Sequence, residues 1–382
     1  MVKRMGAALL TAFVLGIVQP AAQEPVPTPT LAMVRERVRA GDVDYAWSLI
    51  QKIPESSEVL REGIAIALAR TDVTGAMQWY ERLVLREPSG HAAQLKAIAR
   101  ARAYLLRAND DPAVRVYACV ALLTIGEEEC EKDLRAWAND GSLDVASRLE
   151  AAAALFRANK PDSRALLEQI VQSTEQTSPS AVADALGRLP AGFATPVLIR
   201  FASSENRDAR YLAALALSRE TSREAQQTLR AVAADETAGA ARLAAHIGLA
   251  RAGDRDALKF VEDALPFLGG RELLETGRAF LARRDPRGQA IVVSVLEGDN
   301  ELLRFDAAET LRTSDPRRAD AVVLAGIASA NPWIRARALQ AAAGARMPAV
   351  AAIRREVASA NPWVAVRAAQ AVLAASTEAR AL

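Results

Sequence analysis

The feature that most constrains this chain is an internal repeat close to its C-terminus. Six consecutive residues, Ala-Ser-Ala-Asn-Pro-Trp, occupy 328–333 and recur at 358–363, thirty residues later. Each copy leads into an alanine-rich stretch with the pattern Arg-x-x-Ala-x-x-x-Leu or a close variant. A fixed period of about 20–50 residues is typical of repeat architectures, in which each unit buries its apolar face against its neighbours. The sequence therefore predicts an array of small stacked units.

The pattern recurs upstream and gives nine copies in all. Successive copies are 30 to 33 residues apart, with an arginine seven residues before the leucine position in six copies and an alanine four residues before it in seven. Offsets of four and seven place residues on one face of a helix. Because a unit of about 31 residues has room for two helices of roughly eleven residues and two turns, each unit is expected to be a helix pair. The leucine positions are Leu122, Leu155, Leu186, Leu217, Leu249, Leu281, Leu311, Ala342 and Val372.

Two of the nine copies are degenerate. The copies at 174–190 and 268–284 have Pro179 and Leu274 at the arginine position and lack the alanine as well. The alanine lets the neighbouring helix approach closely, so we expect the stack to bend or loosen at these two places.

Several helix starts are marked by a capping side chain followed by proline, as in Asp111-Pro112 and Asn331-Pro332. Such a side chain accepts a hydrogen bond from the first turn, and proline suits the first helical position. The stretch from Asp111 to Leu122, DPAVRVYACVAL, resembles the short repeats of the HEAT family, and the resemblance covers about residues 95–376. It implies an all-α fold, a right-handed α-solenoid of stacked antiparallel helix pairs with about nine repeats.

Residues 31–107 are predicted to be helical but carry a different pattern. Ala76, Tyr80 and Pro88 fall at the spacing found in the second helix of a tetratricopeptide repeat, which this segment resembles. A shorter echo spans Asp42 to Pro54, so the resemblance implies a two-unit cap. A divergent pair of HEAT-like hairpins is the alternative, and both interpretations predict an all-α stack.

The N-terminus has the pattern of a secretory signal peptide. Lys3 and Arg4 precede an uncharged, mostly apolar run of 13 residues, Gly6 to Val18, which is short for a membrane span. We expect a periplasmic or secreted protein with no membrane insertion after cleavage, and an uncleaved N-terminal anchor is the alternative. The predicted organisation is a signal peptide at 1–22, a proline-rich linker at 23–30, the tetratricopeptide-like region at 31–107, the HEAT-like solenoid at 108–376 and a tail at 377–382.

Charge and motifs argue against nucleic-acid binding and catalysis. Without Lys3 and Arg4 of the signal peptide, the 48 cations become 46, equal to the 46 acidic residues. A chain with equal numbers of positive and negative residues lacks the excess of positive charge that is typical of nucleic-acid-binding proteins. Only two histidines are present, and no nucleophile, metal-ligand or phosphate-loop motif accompanies them. Because enzymes need a clustered set of reactive groups, we expect a protein that is not an enzyme, without catalytic, cofactor-binding or metal-binding residues.

A surface for a protein or peptide partner is predicted on the arginine-bearing helices. Positions two and five after the arginine share a face distinct from the alanine and leucine face. In HEAT-like families this second helix lines the concave surface, so the resemblance implies a groove, apolar in its middle and polar towards the C-terminal end, that suits an extended peptide or a helix. The alternative is that curvature buries the apolar residues. The candidate protein-binding residues are Tyr117, Val120, Leu212, Leu215, Ile247, Asp306, Glu309, Arg337, Gln340, Arg367 and Gln370.

The two cysteines invite a disulfide hypothesis. Cys119 and Cys130 are eleven residues apart, on either side of the turn at Ile125-Gly126, so two antiparallel helices would hold them at similar heights. Secretion favours a disulfide between them, and two inert buried thiols are the alternative.

The leading functional hypothesis is a secreted or periplasmic scaffold that binds a protein or peptide through the solenoid groove. The alternatives are a HEAT-like lyase or enzyme accessory acting on a pigment-bearing protein, and a structural component of an envelope complex. A further expectation concerns the C-terminus, where only seven residues follow Ala375. Because the last helix lacks a covering partner, Val364, Val366 and Val372 are expected to form an apolar edge for a partner or a second copy of the chain.

Overall fold

The computed structural model of the protein describes residues 28–174, 178–189, 192–342 and 347–378. All regular structure in these residues is helical, with 22 α-helices, two short 3-10 helices and no strand. The all-α prediction is therefore confirmed. The predicted signal peptide at 1–22, most of the linker at 23–30 and most of the tail at 377–382 lie outside the described residues.

The chain divides into two compact units, residues 1–55 and 56–382. The first contains α1 (Leu31–Arg39) and α2 (Val43–Ile50), which pack against each other. The boundary falls inside the tetratricopeptide-like region predicted at 31–107. The helices after residue 55 therefore belong to the same unit as the repeats that follow them.

The second unit contains the other twenty helices of the described residues. In order along the chain they are α3 (Ser57–Ala69), α4 (Val73–Arg86), α5 (Ala92–Leu106), α6 (Pro112–Thr124), α7 (Glu129–Asn139), α8 (Val145–Arg157), α9 (Ser163–Thr174), α10 (Pro179–Leu186), α11 (Thr195–Ala202), α12 (Arg207–Leu217), α13 (Arg223–Ala234), α14 (Ala240–Ala252), α15 (Arg255–Ala264), α16 (Gly270–Ala282), α17 (Arg287–Leu296), α18 (Glu301–Leu311), α19 (Pro316–Ile327), α20 (Pro332–Ala341), α21 (Met347–Glu356) and α22 (Pro362–Glu378). The predicted caps form: Asp111 Oδ1 accepts from Ala113 N at 2.9 Å, and Asn331 Oδ1 accepts from Trp333 N at 2.9 Å.

The first helix pair of this unit packs closely because of one glycine. A Cβ atom on Gly63 of α3 would lie 2.0 Å from the ring of Trp79 in α4. The two helices can therefore approach only while residue 63 has no side chain. Ala76 and Tyr80, the positions of the tetratricopeptide-like pattern, are buried in the same helix as Trp79.

Alternate helices from α6 to α22 form one continuous series, which we call the leucine series: α6, α8, α10, α12, α14, α16, α18, α20 and α22. Each helix contacts the next member of the series. Most of the repeating leucine positions are buried on these helices, and Leu281 and Val372 are partly exposed. Since small and large apolar residues alternate along one face, adjacent helices pack closely along that face.

The repeated arginine has a structural role, because its side chain caps the C-terminal end of the preceding helix. The last carbonyls of an α-helix have no partner within the helix, and a cation near them also interacts favourably with the helix dipole. In three copies the arginine Nε donates to such a carbonyl, at 3.1 Å in each: Arg148 to Ala138, Arg242 to Ala233 and Arg304 to Leu296.

The last helix closes the leucine series onto its own beginning. α22 packs against α20 and also against both α5 and α6. Ala365 and Val366 of α22 join Leu106, Val114 and Ala118 in one buried apolar cluster. The helices of the second unit therefore form a closed ring, and we call the junction of α5, α6 and α22 the closure seam.

Polar contacts flank the closure seam. Arg102 Nη2 donates to the carbonyl oxygen of Ser359 at 2.8 Å, and Trp363 Nε1 donates to Asp111 Oδ2 at 2.8 Å. These pairs join residues more than 250 positions apart in the sequence. The expectation of an open apolar edge at the C-terminus is therefore wrong for Val364 and Val366, which are fully buried. The first helices of the ring cover them.

Candidate functional site

A cavity of about 380 Å³ opens among α10, α12, α16, α18 and α20. Its volume lies within the range of ligand pockets, which is about 300–1,000 Å³. Charged side chains dominate its lining, with five arginines and four carboxylates. The charged lining residues are Arg188, Arg219, Arg271, Arg278, Arg337, Asp184, Glu275, Asp306 and Glu309.

The cavity forms where side chains of α12 and α16 contact each other across α14, the helix between them in the leucine series. The Tyr211 hydroxyl of α12 donates to Glu272 of α16. α14 leaves room because several of its buried residues are alanine or glycine. A Cβ atom on Gly248 would lie 2.8 Å from Cα of Ser218, so the backbones of α14 and the end of α12 are in close approach.

Glu275 is the buried charge at the centre of this arrangement. Its side chain is 1% exposed, and Oε1 accepts from Arg278 Nη1 at 2.6 Å and from Arg219 Nη2 at 2.7 Å. Burial alone would raise the pKa of Glu275, but the charges of Arg278 and Arg219 outweigh it and lower that pKa below its usual value. The carboxylate therefore stays ionised and holds two arginines in place.

Glu275→Gln is expected to destabilise the protein by about 2 kcal/mol at neutral pH, because the substitution leaves two partly buried guanidinium groups without their common anion. The lowered pKa of Glu275 means that its contribution is complete above the unfolded-state pKa near 4.5 and is lost as the pH falls through the folded-state pKa. Urea unfolding of both proteins between pH 7 and pH 3 should show the stability difference shrinking towards low pH. A difference that stays constant or grows as the pH falls would contradict this electrostatic role.

The accessible charge of the cavity is mostly positive. The side chains of Arg188 and Arg271 are 69% and 42% exposed, whereas the carboxylate of Glu275 is almost fully buried and the other three carboxylates are 30–38% exposed. Both arginines bond to Asp184, and Arg271 Nη1 lies 3.3 Å from Asp184 Oδ1. Each guanidinium has five N–H donors, so one carboxylate leaves donor capacity for a further anion.

Six of the eleven sequence-predicted binding residues line this cavity. Asp306 and Glu309 of α18 both form salt bridges with Arg337 of α20. The six lining residues are Leu212, Leu215, Asp306, Glu309, Arg337 and Gln340. The structure therefore brings together four of the six polar residues that were predicted towards the C-terminal end.

The remaining predicted residues lie elsewhere. Val120 and Ile247 are buried, as is most of Leu215, so the alternative that curvature buries the apolar face applies to these three. Tyr117 and Arg367 meet at the closure seam, where the Arg367 guanidinium lies 3.6 Å from the centroid of the Tyr117 ring. Arg367 Nη1 also donates to Gln370 Oε1 at 2.9 Å. These three residues form part of the seam and do not line the cavity.

Sequence reasoning missed the charged residues of α10 and α16. These helices are the two degenerate copies, and they supply Asp184 and Arg188 on one side and Arg271, Glu275 and Arg278 on the other. The loss of the packing pattern at 174–190 and 268–284 was the available signal. It indicated a bend in the stack. Two helices in which charged residues of a site replace the packing residues would give the same signal.

The two histidines do not line the cavity. The His246 ring stacks on Phe260 with centroids 3.9 Å apart, and burial lowers its pKa. His91 Nδ1 lies 2.6 Å from the Tyr80 hydroxyl. In the part of the chain that the structure describes, no cluster of three or more His, Cys, Asp or Glu residues could hold a metal ion. No helix among the described residues is long and apolar enough to cross a membrane.

Comparisons with known proteins identify no relative of this chain. No protein-family model matches the sequence, no curated protein is significantly similar to it, and no solved structure shows significant similarity to its fold. The function of the chain is therefore inferred from the cavity and the surface around it.

Proposed function

We propose that this protein is a non-enzymatic binding scaffold that takes an extended, acidic segment of a partner protein or peptide into the charged cavity. The observation that carries the proposal is the unequal exposure of charge there, with Arg188 and Arg271 open to solvent and Glu275 buried. A carboxylate of the partner would accept from these guanidinium groups. Charge-assisted hydrogen bonds of this kind are about twice as strong as neutral ones.

An apolar rim beside the cavity would hold the partner's uncharged side chains. Leu302, the second residue of α18, lines the cavity and is 54% exposed. Trp333, the second residue of α20, does not line the cavity itself but lies one helical turn before the lining residue Arg337, and it is 62% exposed. The Trp333 ring lies 5.4 Å from the ring of Trp363. Exposed large apolar residues next to a polar pocket are typical of binding surfaces.

The proposal extends to the fold family and the location. We propose that the leucine series and its intervening helices correspond to nine HEAT-like repeats of a right-handed solenoid whose two ends meet at the closure seam. We propose further that the scaffold acts in the periplasm or outside the cell after signal cleavage. Observation of the mature N-terminus near residue 23 in protein recovered from its own envelope would support this location.

A binding titration tests the proposed function. Two fluorescein-labelled peptides, one of alternating leucine and glutamate and one with lysine in place of glutamate, are titrated with the full chain and followed by anisotropy. We expect the glutamate peptide to bind and the lysine peptide to bind at least about tenfold more weakly, which corresponds to about 1.4 kcal/mol. Added salt should weaken the glutamate complex, because part of the attraction is between exposed charges.

Variants locate the site of binding. Arg271→Ala and Trp333→Ala are each expected to weaken binding of the glutamate peptide about tenfold. Arg317→Ala is the matched control, because Arg317 is an exposed arginine of α19 that does not line the cavity. Equal affinity for both peptides, no binding of either, or an equal effect of the control variant would refute the proposed function.

A further inference from the structure

The structure places the only two cysteines of the chain side by side. Cys119 lies in α6 and Cys130 is the second residue of α7, and these two helices pack against each other. Both are buried as free thiols, and the Cys119 thiol donates a hydrogen bond to Oδ2 of Asp133, which lies three residues after Cys130 on α7, at 3.9 Å. Cys130 and Asp133 share one face of α7, so both thiols face the same contact between α6 and α7, which is the arrangement that a disulfide between two helices requires.

Charged groups surround the pair. Arg107, the residue after α5, donates to Asp133 Oδ2 at 2.7 Å, and the same oxygen accepts from the Cys119 thiol. The neighbouring Cys119 thiol lowers the pKa of Cys130, against the effect of burial, and the charge of Arg107 lowers it further. The neighbouring Cys130 thiol, together with burial, raises the pKa of Cys119. The two thiols are therefore unequal, and Cys130 is the better thiolate.

The segment beside Cys130 offers a route for solvent. The turn at 124–129 is largely exposed, and Glu128, the residue before α7, makes no side-chain capping hydrogen bond. An uncapped first turn frays more readily than the body of a helix, and such local opening needs far less free energy than global unfolding. Cys130, in the first turn of α7, is the thiol that opening of this turn would expose, whereas Cys119 lies in the body of α6.

We propose that Cys119 and Cys130 are a redox-active dithiol that is converted to an intramolecular disulfide by exchange with a small-molecule or protein disulfide. This inference stands independently of the proposed binding function. It goes beyond the disulfide hypothesis from the sequence by assigning the attacking residue, the route of access and the class of oxidant.

The exchange proceeds in two steps. The Cys130 thiolate attacks one sulfur of the incoming disulfide, which forms a mixed disulfide at Cys130 and releases one thiolate that takes up a proton. The Cys119 sulfur, after loss of its proton to solvent, then attacks Cys130 and expels the second thiolate. One disulfide is reduced to two thiols, and two protein thiols become one disulfide, so atoms and electrons balance.

Incubation of the reduced full chain with glutathione disulfide tests the proposal. In the wild type we expect the thiols that react with a chromogenic reagent under denaturing conditions to fall from two to zero. The intact mass should decrease by two hydrogens, without a glutathione adduct. Closing this short loop should raise the thermal midpoint by about 4 °C relative to the reduced protein.

Single variants test the order of attack. Cys119→Ser is expected to stop at a mixed disulfide with glutathione on Cys130, because no second thiol can resolve it. Cys130→Ser should acquire glutathione on Cys119 at least about tenfold more slowly, because less of Cys119 is thiolate. Circular dichroism of both variants shows whether they fold. If either variant does not fold, the intact mass of the oxidised wild type alone tests whether the disulfide forms. Two thiols retained in the wild type, a stable glutathione adduct on it, or a dimer linked between chains would overturn the proposal.

Discussion

Gly288→Ala is expected to destabilise the second unit by about 3 kcal/mol, a large effect for the addition of one methyl group. A Cβ atom on Gly288 of α17 would lie 2.5 Å from the backbone nitrogen of Leu281 and 2.9 Å from the carbonyl oxygen of Gly277, both in α16. Backbone atoms within a helix cannot rotate away as a side chain can. The two helices must therefore separate along their contact, and interior packing tolerates such shifts poorly.

Gly141→Ala is the matched control for this prediction. Gly141 is an exposed glycine, and a Cβ atom there would have no heavy atom within 4 Å. Urea unfolding monitored by circular dichroism should show a much lower midpoint for Gly288→Ala and a nearly unchanged midpoint for Gly141→Ala. Similar midpoints for the two variants would mean that α16 and α17 are not in backbone contact.

Val366→Asp is expected to open the closure seam at a cost of about 3–5 kcal/mol. Val366 is fully buried in the apolar cluster with Leu106, Val114 and Ala118. A carboxylate at this position would lose its hydration without gaining a partner in that cluster, and an unpaired buried charge is among the most destabilising changes in a protein. The contacts among α6 to α20 do not include α22, so these helices keep their neighbours in the series.

Hydrogen exchange with mass spectrometry distinguishes an opened ring from an unfolded chain. In Val366→Asp, α5, α6 and α22 should lose protection, while α12 and α14 retain it. Gel filtration should show a larger hydrodynamic radius. Ala351→Asp is the control, since Ala351 is exposed on α21. Uniform loss of protection through all helices would show that the unit unfolds as one, and unchanged protection at the seam would show that Val366 is not part of it.

Much of the helical architecture could be read from local sequence, because its signals are local. The spacing of Ala118 and Leu122 sets a packing face within two turns of one helix, and Asp111 caps that helix through a residue two positions away. Such signals specify where helices begin, which face is buried and that similar units follow one another. They contain no information about curvature, which accumulates in small rotations from unit to unit.

The candidate site was predictable only in part. Asp306 and Arg337 were found because they interrupt an apolar face at regular spacing, and they form a salt bridge in the cavity. Glu275 and Arg219 were missed, because their contact joins two helices that are not neighbours in the series. No pattern of fixed period can indicate a pair separated by 56 residues across an intervening helix.

The sequence by itself determined that the chain is helical, where its repeating helices start and which residues of each helix face the interior. Only the tertiary structure decided that the series closes, that Val366 meets Val114 rather than a partner, and that arginines of distant units converge on one cavity. The physical reason is that helix formation and capping depend on residues within a few positions of one another, whereas closure depends on the sum of all the angles between successive helices.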